Sequence, residues 1–316
     1  MPNAVHLSML VLTHAVPIAG YPGWEAQQVV AKAPSKHHND LYVPNPSHPV
    51  PGKVPYIPDE EEHYFEKQVN GSGNGYYRRS SCPAVNIMAN RGYISRSGRD
   101  ISYEEIAMAS RELFNFGDDN IMIVLGPSFA AHPGRERIDL DMLADDAVQH
   151  ITNCPAAPTR TDRALGDNVN LNTTLLEQLL ATSKDGVTLT LEDAAEHHHL
   201  RHNQSLAENP GFRFSNSDAI CSLAQYANLF GILGRQGKHG LNTLYVEDVK
   251  TLFVDEDLPD GYGRRELPYF STEANNYIDR MAHHIGFEIE RPFPANDADL
   301  KDIEPVQARF DVVDGC

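Results

Sequence analysis

Ser102 is followed three residues later by Glu105, and apolar side chains then recur at Ile106, Ala109 and Leu113. A hydroxyl and a carboxylate at this spacing satisfy two backbone donors at a helix start, and the apolar groups fall on one helix face. The pattern predicts a helix opening at Ser102, and similar signals recur along the chain. "NTTLLEQLLATS", "TLEDAAEHHHLRHNQSLAEN" (stopped by Pro210), "VEDVKTLFVDEDLP" and "STEANNYIDRMAHHIGF" all read as helices. "SNSDAICSLAQYANLFGIL" opens on Ser and Asp capping candidates and is then apolar on most sides, the mark of a buried helix. Alternation with a period of two is scarce, and there is no internal repeat. The expected fold is therefore mainly α: one compact helical domain over residues 76–316, preceded by an extended proline-rich arm over 21–75. Within the arm, "VPNPSHPVPGKVPYIP" is expected to be extended and superficial, and "NGSGNG" to be a flexible turn.

Composition narrows the partners. A net charge of −18 argues against nucleic acid or an anionic membrane surface. No apolar run reaches the roughly 18 residues that a membrane-spanning helix needs. Four cysteines are too few for a disulfide-stapled scaffold. Residues 1–20 carry the apolar stretch "HLSMLVLTHAV" and then Ala19 and Gly20, which reads as a secretory signal without its usual positive start. Acceptor sequons at Asn70, Asn172 and Asn203 are compatible with a secreted glycoprotein.

Cys82 stands directly before Pro83 and a helical run. Proline suits the first helical position, which places Cys82 at or beside the N-cap. Unpaired N–H groups and the positive end of the helix dipole favour a thiolate there, the species that a soft metal or a heme iron takes as ligand. The same position also suits an inert, buried cysteine. In "EHHHLRHNQ", His198 and His202 are four apart, with His197 and His199 beside them. That spacing is half of a metal site, but no third ligand is evident, and a solvated polar helix face explains the run more simply.

The block "SCPAVNIMANRGYISRSGRDIS" resembles the signature of the fungal heme-thiolate peroxidases, the family of chloroperoxidase and the unspecific peroxygenases. Cys82, Pro83, Asn86, Ala89, Asn90, Gly92, Tyr93, Gly98 and Arg99 stand in matching places, while Ser81 replaces a proline and Arg91 a histidine. "ELFNFGDDN", "IDLDML", "ALGDNVNLNTTLLEQLL" and "RHNQSLAENPGFRF" extend the likeness over roughly residues 45–235. By this resemblance the cofactor is heme b and Cys82 is its axial ligand, pushing electron density onto the iron.

The resemblance also shows what has changed. The family binds a cation beside a heme propionate through a Glu-His-Asp or Glu-Gly-Asp motif. Here Asn153, Cys154 and Ala157 fall at places of that motif and the serine after it, so no separate cation site is expected. The family also keeps a distal glutamate that shuttles the peroxide proton, and its longer members add an arginine seven residues upstream. Those places hold Gln225 and Asp218, the candidate catalytic positions. Gln225 cannot cycle a proton, and no Asp or Glu occurs from Ala219 to Tyr245. Asp218 reads equally well as a helix cap, and Gln225 as a buried amide.

Two functions remain open. One is a peroxidase or peroxygenase acting on a hydrophobic small molecule, in fungal secondary metabolism, with an unconventional acid–base group. The other is a non-redox natural-product catalyst on the same fold, guiding dehydration and hetero-Diels–Alder cyclisation, with heme structural or absent. A heme-binding protein without catalysis is a third, weaker alternative. If Cys82 binds iron, Cys154, Cys221 and Cys316 remain. Cys154 and Cys221 are expected to be buried, and the terminal Cys316 to form an interchain disulfide in a homodimer.

Overall fold

The computed structural model describes residues 58–148, 154–236 and 242–290. The expected signal segment, the proline-rich centre of the arm, Asn153 and Cys316 lie outside those residues. The fold is mainly α. Its helices are α1 (Ser72–Gly75), α2 (Pro83–Asn90), α3 (Tyr103–Phe114), α4 (Asp118–Ala130), α5 (Thr173–Ala181), α6 (Leu191–Glu208), α7 (Asn216–Leu233), α8 (Val246–Lys250) and α9 (Ser271–His284). Strands are very short: β1 (Ile101–Ser102) pairs antiparallel with β2 (Arg137–Ile138), and β5 (Asn242–Tyr245) lies between β3 (Thr188–Leu189) and β4 (Arg235–Gln236).

The helix starts are built as the sequence predicts. Ser102 accepts from the Glu105 amide at 3.2 Å, and its own amide donates to the Glu105 carboxylate at 2.7 Å. Thr190 with Asp193 and Ser215 with Asp218 form the same reciprocal caps on α6 and α7. The "NGSGNG" stretch is a turn, because Gly73 and Asn74 inside α1 are left-handed. Helix α4 has no counterpart in the sequence reading. It buries Ile121, Leu125 and Phe129 but exposes Met122 and Ile123 and carries Pro127 inside, so its periodic signal is blurred.

Helix α7 is the spine of the core. It packs on α6 and α9 and buries Leu223, Tyr226, Ala227, Phe230 and Leu233 almost completely. Gly231 permits that packing, since a β-carbon there would lie 2.4 Å from the Tyr269 ring. The described end of the arm belongs to the same packed body. His63 stacks on Tyr93 with ring centroids 3.7 Å apart. Arg91 ties Glu60 at 2.7 Å to Asp257 at 2.5 and 3.1 Å. The arginine that replaces the family histidine is thus a buried clamp between two ends of the chain. Among the described residues, no helix is long and apolar enough to cross a membrane.

Candidate active site

Cys82 is the N-cap of α2, in an extended conformation, with Pro83 at the first helical position. Its amide donates to Ser80 Oγ at 3.1 Å. Asn86, one turn into α2, accepts from the Ser80 amide at 2.8 Å and donates to the Ser80 carbonyl at 2.9 Å, closing the loop around the cysteine. The Asn90 side-chain oxygen accepts from Nε and Nη2 of Arg79 at 3.0 and 2.8 Å. Arg79 is nearly inaccessible, and burial pulls its guanidinium down to about 10. The signature residues Asn86 and Asn90 therefore shape the loop that presents the thiol.

The cysteine is open to solvent, yet protein crowds its sulfur and burial pushes the thiol up. The thiol is thus reachable from solvent while the protein packed beside it disfavours the thiolate. The amides of Ala84 and Val85 and the charge of Arg160 oppose the shift, although neither amide closes a full capping hydrogen bond. Glu256 adds to it.

Arg160 and Glu256 are site members that the sequence reading missed. Glu256 sits in a left-handed conformation just after the π-helical turn Thr251–Asp255 that follows α8. Its Oε1 accepts from Asn86 Nδ2 at 2.6 Å and lies 3.9 Å from Arg160 Nη2. Burial holds this carboxyl above its usual range, partly offset by Asn86 and Arg160. Arg160 is 4% exposed, and burial lowers its guanidinium from the ordinary value. Its Nη1 donates to Thr159 Oγ1 at 3.0 Å, whereas its Nε is buried with no hydrogen-bond acceptor among the described residues.

The two candidate positions on α7 have separate roles. Asp218 is buried, and its Oδ2 accepts from the Ser215 amide and hydroxyl at 2.7 and 2.8 Å, so this carboxylate is the N3 member of the α7 cap. Gln225, two turns on, is half-buried, and its Nε2 is enclosed without an acceptor among the described residues.

Cys154 and Cys221 form a disulfide, with Cα atoms 6.2 Å apart at a sequence separation of 67. Cys154 is buried as expected and Cys221 is half-buried, and their pairing was not anticipated, since spacing along the chain carries no information on which sulfurs meet. Cys221 lies one turn before Gln225, so the bond pins α7 to the loop that leads to Arg160. The sulfur of Cys154, which the resemblance sets at the cation motif, is committed to the disulfide. Ala157 contributes only a methyl group there.

The histidine run also differs from expectation. His197 and His198 are fully buried rather than on a solvated face. His197 Nδ1 pairs with Tyr226 Oη at 2.8 Å and His198 Nε2 with Ser222 Oγ at 2.7 Å, and burial pulls both imidazoles down to about 3. His202 lies among Phe212, Phe214 and Phe287. Among the described residues, no three His, Cys, Asp or Glu side chains form a metal cluster.

The donor set suits a heme iron. Cys82 is the one described cysteine outside a disulfide, and it is exposed at a helix N-terminus with a buried guanidinium close by. An aromatic peroxygenase of Coprinellus radians is 26% identical over 261 residues, covering 74% of this chain and 96% of that protein. An aromatic peroxygenase of Cyclocybe aegerita is 27% identical over 218 residues, covering 61% of this chain and 57% of that protein, little more than half of its length. Residues 56–267, two thirds of the chain, match the family described as "Peroxidase, family 2". With the thiol at the head of α2 and a mainly helical body around it, the chain belongs to family 2 of the peroxidases.

Proposed function

We propose that this peroxidase-family enzyme is a heme-thiolate oxidoreductase that uses peroxide to oxidise or oxygenate a hydrophobic small molecule of fungal secondary metabolism. Cys82 would hold heme b, and the observation that carries the reading is its place as a free thiol at the N-cap of α2. When bound, a thiolate-ligated heme supplies peroxide activation and oxidation of the organic substrate. Asn86 and Ser80 fix the loop that carries the sulfur. Gln225 offers a hydrogen-bond donor where the family places a proton-cycling carboxylate, so it can orient an oxygen atom but cannot move its proton. Asp218 is committed to the cap. His197 and His198 are held neutral against Tyr226 and Ser222, so neither supplies the missing acid. The Cys154–Cys221 disulfide supports an oxidising compartment, in keeping with secretion.

Gln225 favours a second reading, a non-redox catalyst of dehydration and cyclisation on the same fold. A neutral amide donor can orient a reactive intermediate without any proton-cycling group. The absorption spectrum of the purified protein separates the two. A reduced carbonyl complex at the position typical of thiolate ligation, abolished in Cys82→Ala, supports the first. Stoichiometric heme that survives Cys82→Ala sinks the ligand assignment, and heme-free protein that still converts substrate establishes the second.

A further inference from the structure

We propose that Arg160 receives a propionate carboxylate of the bound heme through the side-on edge of its guanidinium, with the Cys154–Cys221 disulfide holding it in position. The proposal rests on the heme reading above and adds the group that reads the cofactor's carboxylate.

Arginine has five N–H donors, and burying them without acceptors is costly. Arg160 is 4% exposed, yet Nη1 to Thr159 Oγ1, at 3.0 Å, is the one close hydrogen bond its guanidinium makes among the described residues. On the side-on edge, Nε has no acceptor, and Nη2 is 3.9 Å from Glu256 Oε1, beyond hydrogen-bond reach. Glu256 does not turn to meet it, because its Oε1 is held by Asn86 at 2.6 Å. The unfilled pair is thus Nε with Nη2, the two parallel donors that a planar carboxylate accepts together. Arg160 also shares the surroundings of Cys82 through Glu256, whose Oε1 lies 3.9 Å from Arg160 Nη2 and accepts at 2.6 Å from Asn86, the residue that closes the Cys82 loop. A carboxylate borne by a ligand of the Cys82 sulfur would meet a guanidinium whose Nε and Nη2 have no acceptor within hydrogen-bond reach among the described residues.

The backbone around Arg160 is fixed before any ligand arrives. The Ala156 amide donates to Asp162 Oδ1 at 3.1 Å, Arg201 Nε donates to the Ala157 carbonyl at 3.0 Å, and the Asn172 amide donates to the Thr159 carbonyl at 3.0 Å. Cys154, six residues before Arg160, is bonded to Cys221 on α7. The loop is therefore tied both to the spine of the core and to α6, and the guanidinium is pre-organised for a rigid acceptor.

The test is to titrate heme-free protein with hemin and with hemin dimethyl ester, which has the same iron and ring but no free carboxylates. Binding is followed by absorption, and folding of each variant by circular dichroism. Wild type should prefer the free acid by about 10- to 100-fold, the range for a charge-assisted pair. Arg160→Gln should bring the preference to within a few-fold of unity. Arg160→Lys, a point charge without the fork, should retain part of it. Arg280→Gln, on the exposed side of α9, should leave it unchanged. Equal binding of acid and ester by wild type overturns the proposal without any variant, so a misfolded Arg160→Gln would not rescue it. A preference that survives intact in folded Arg160→Gln overturns it too. If wild type binds neither porphyrin, the heme reading and this proposal fall together. If hemin and its ester bind equally with thiolate spectra, the heme reading stands and this proposal alone fails.

Discussion

Asn86 donates a 2.6 Å hydrogen bond to Glu256, 170 residues further along the chain, while the same nitrogen also satisfies the carbonyl of Ser80. The loop that presents Cys82 is thus closed by a residue from the far end of the fold. Asn86→Ala should strip partners from the Ser80 amide and carbonyl and from a buried carboxylate. Each orphaned group costs about 1–3 kcal/mol, so a loss of at least about 2 kcal/mol is expected in denaturant unfolding. Glu256→Gln, which keeps an oxygen acceptor, should cost less. The reverse order would show that Asn86 does not close the loop.

If Gln225 holds the place of the family's distal glutamate, as proposed above, a carboxylate there should supply acid–base work. Gln225→Glu is expected to raise peroxide-dependent turnover by about 10²–10⁴-fold, the usual contribution of a positioned general acid–base group. Adding Asp218→Arg would rebuild the family pair, but it removes the N3 member of the α7 cap at about 1 kcal/mol. The single variant is therefore the cleaner measurement. Fast wild-type turnover on ordinary peroxidase substrates would contradict the assignment of Gln225.

The disulfide closes a loop spanning 67 residues of sequence. Chain-entropy arguments give such a cross-link about 4 kcal/mol. Cys154→Ser with Cys221→Ser, or reduction of the wild type, should lower the thermal midpoint by roughly 10 °C in scanning calorimetry. An unchanged midpoint after verified reduction would mean that α7 and the Arg160 loop are held by packing alone.

Acid should destabilise the protein through its buried histidines. In the folded state His197 and His198 titrate near 3 because burial disfavours their charged forms. Unfolded, they take up protons near the usual imidazole value of about 6.5. Between those limits the unfolded chain binds more protons, so stability falls as pH drops, by up to about 1.4 kcal/mol per pH unit for each histidine. Thermal midpoints measured from pH 7 to pH 4.5 should show the fall, and His198→Gln should make it shallower. An equal slope in that variant would assign the acid sensitivity elsewhere.

Gly98→Ala tests the signature loop. Gly98 has φ +71°, and a β-carbon there would lie 2.0 Å from the carbonyl oxygen of Arg78. The backbone would have to move, costing at least about 2 kcal/mol. Reduced heme content at matched expression would show that the shift reaches Cys82, four residues from Arg78. Wild-type stability would show that the loop gives freely.

Features written in neighbouring letters were legible. Ser102 with Glu105, Ser215 with Asp218 and Cys82 with Pro83 are local pairs, and each occupies the helix start that its chemistry demands. Features set by tertiary contact were not. Arg160 and Glu256 stand far from Cys82 in sequence, and only the fold shows that they share its surroundings. The partner of Cys154 could not be read from spacing. Three consecutive histidines suggested a wet face, but α7 covers His197 and His198, with Tyr226 and Ser222 as their partners. Helix α4 was hidden by Pro127 and by apolar residues on its outer side.

The Cys154–Cys221 bond also gives the protein an order of assembly. Cys154 leaves the ribosome 67 residues before its partner, and α5 and α6 must form in the interval. The two sulfurs meet only after α7 has been synthesised and an oxidant is present. Chains made in a reducing cytosol would hold the Arg160 loop by its hydrogen bonds alone, so on the heme reading cofactor uptake would improve after oxidation. Recombinant production in a reducing host would then give a folded, cofactor-poor protein that gains color on oxidation in the presence of heme.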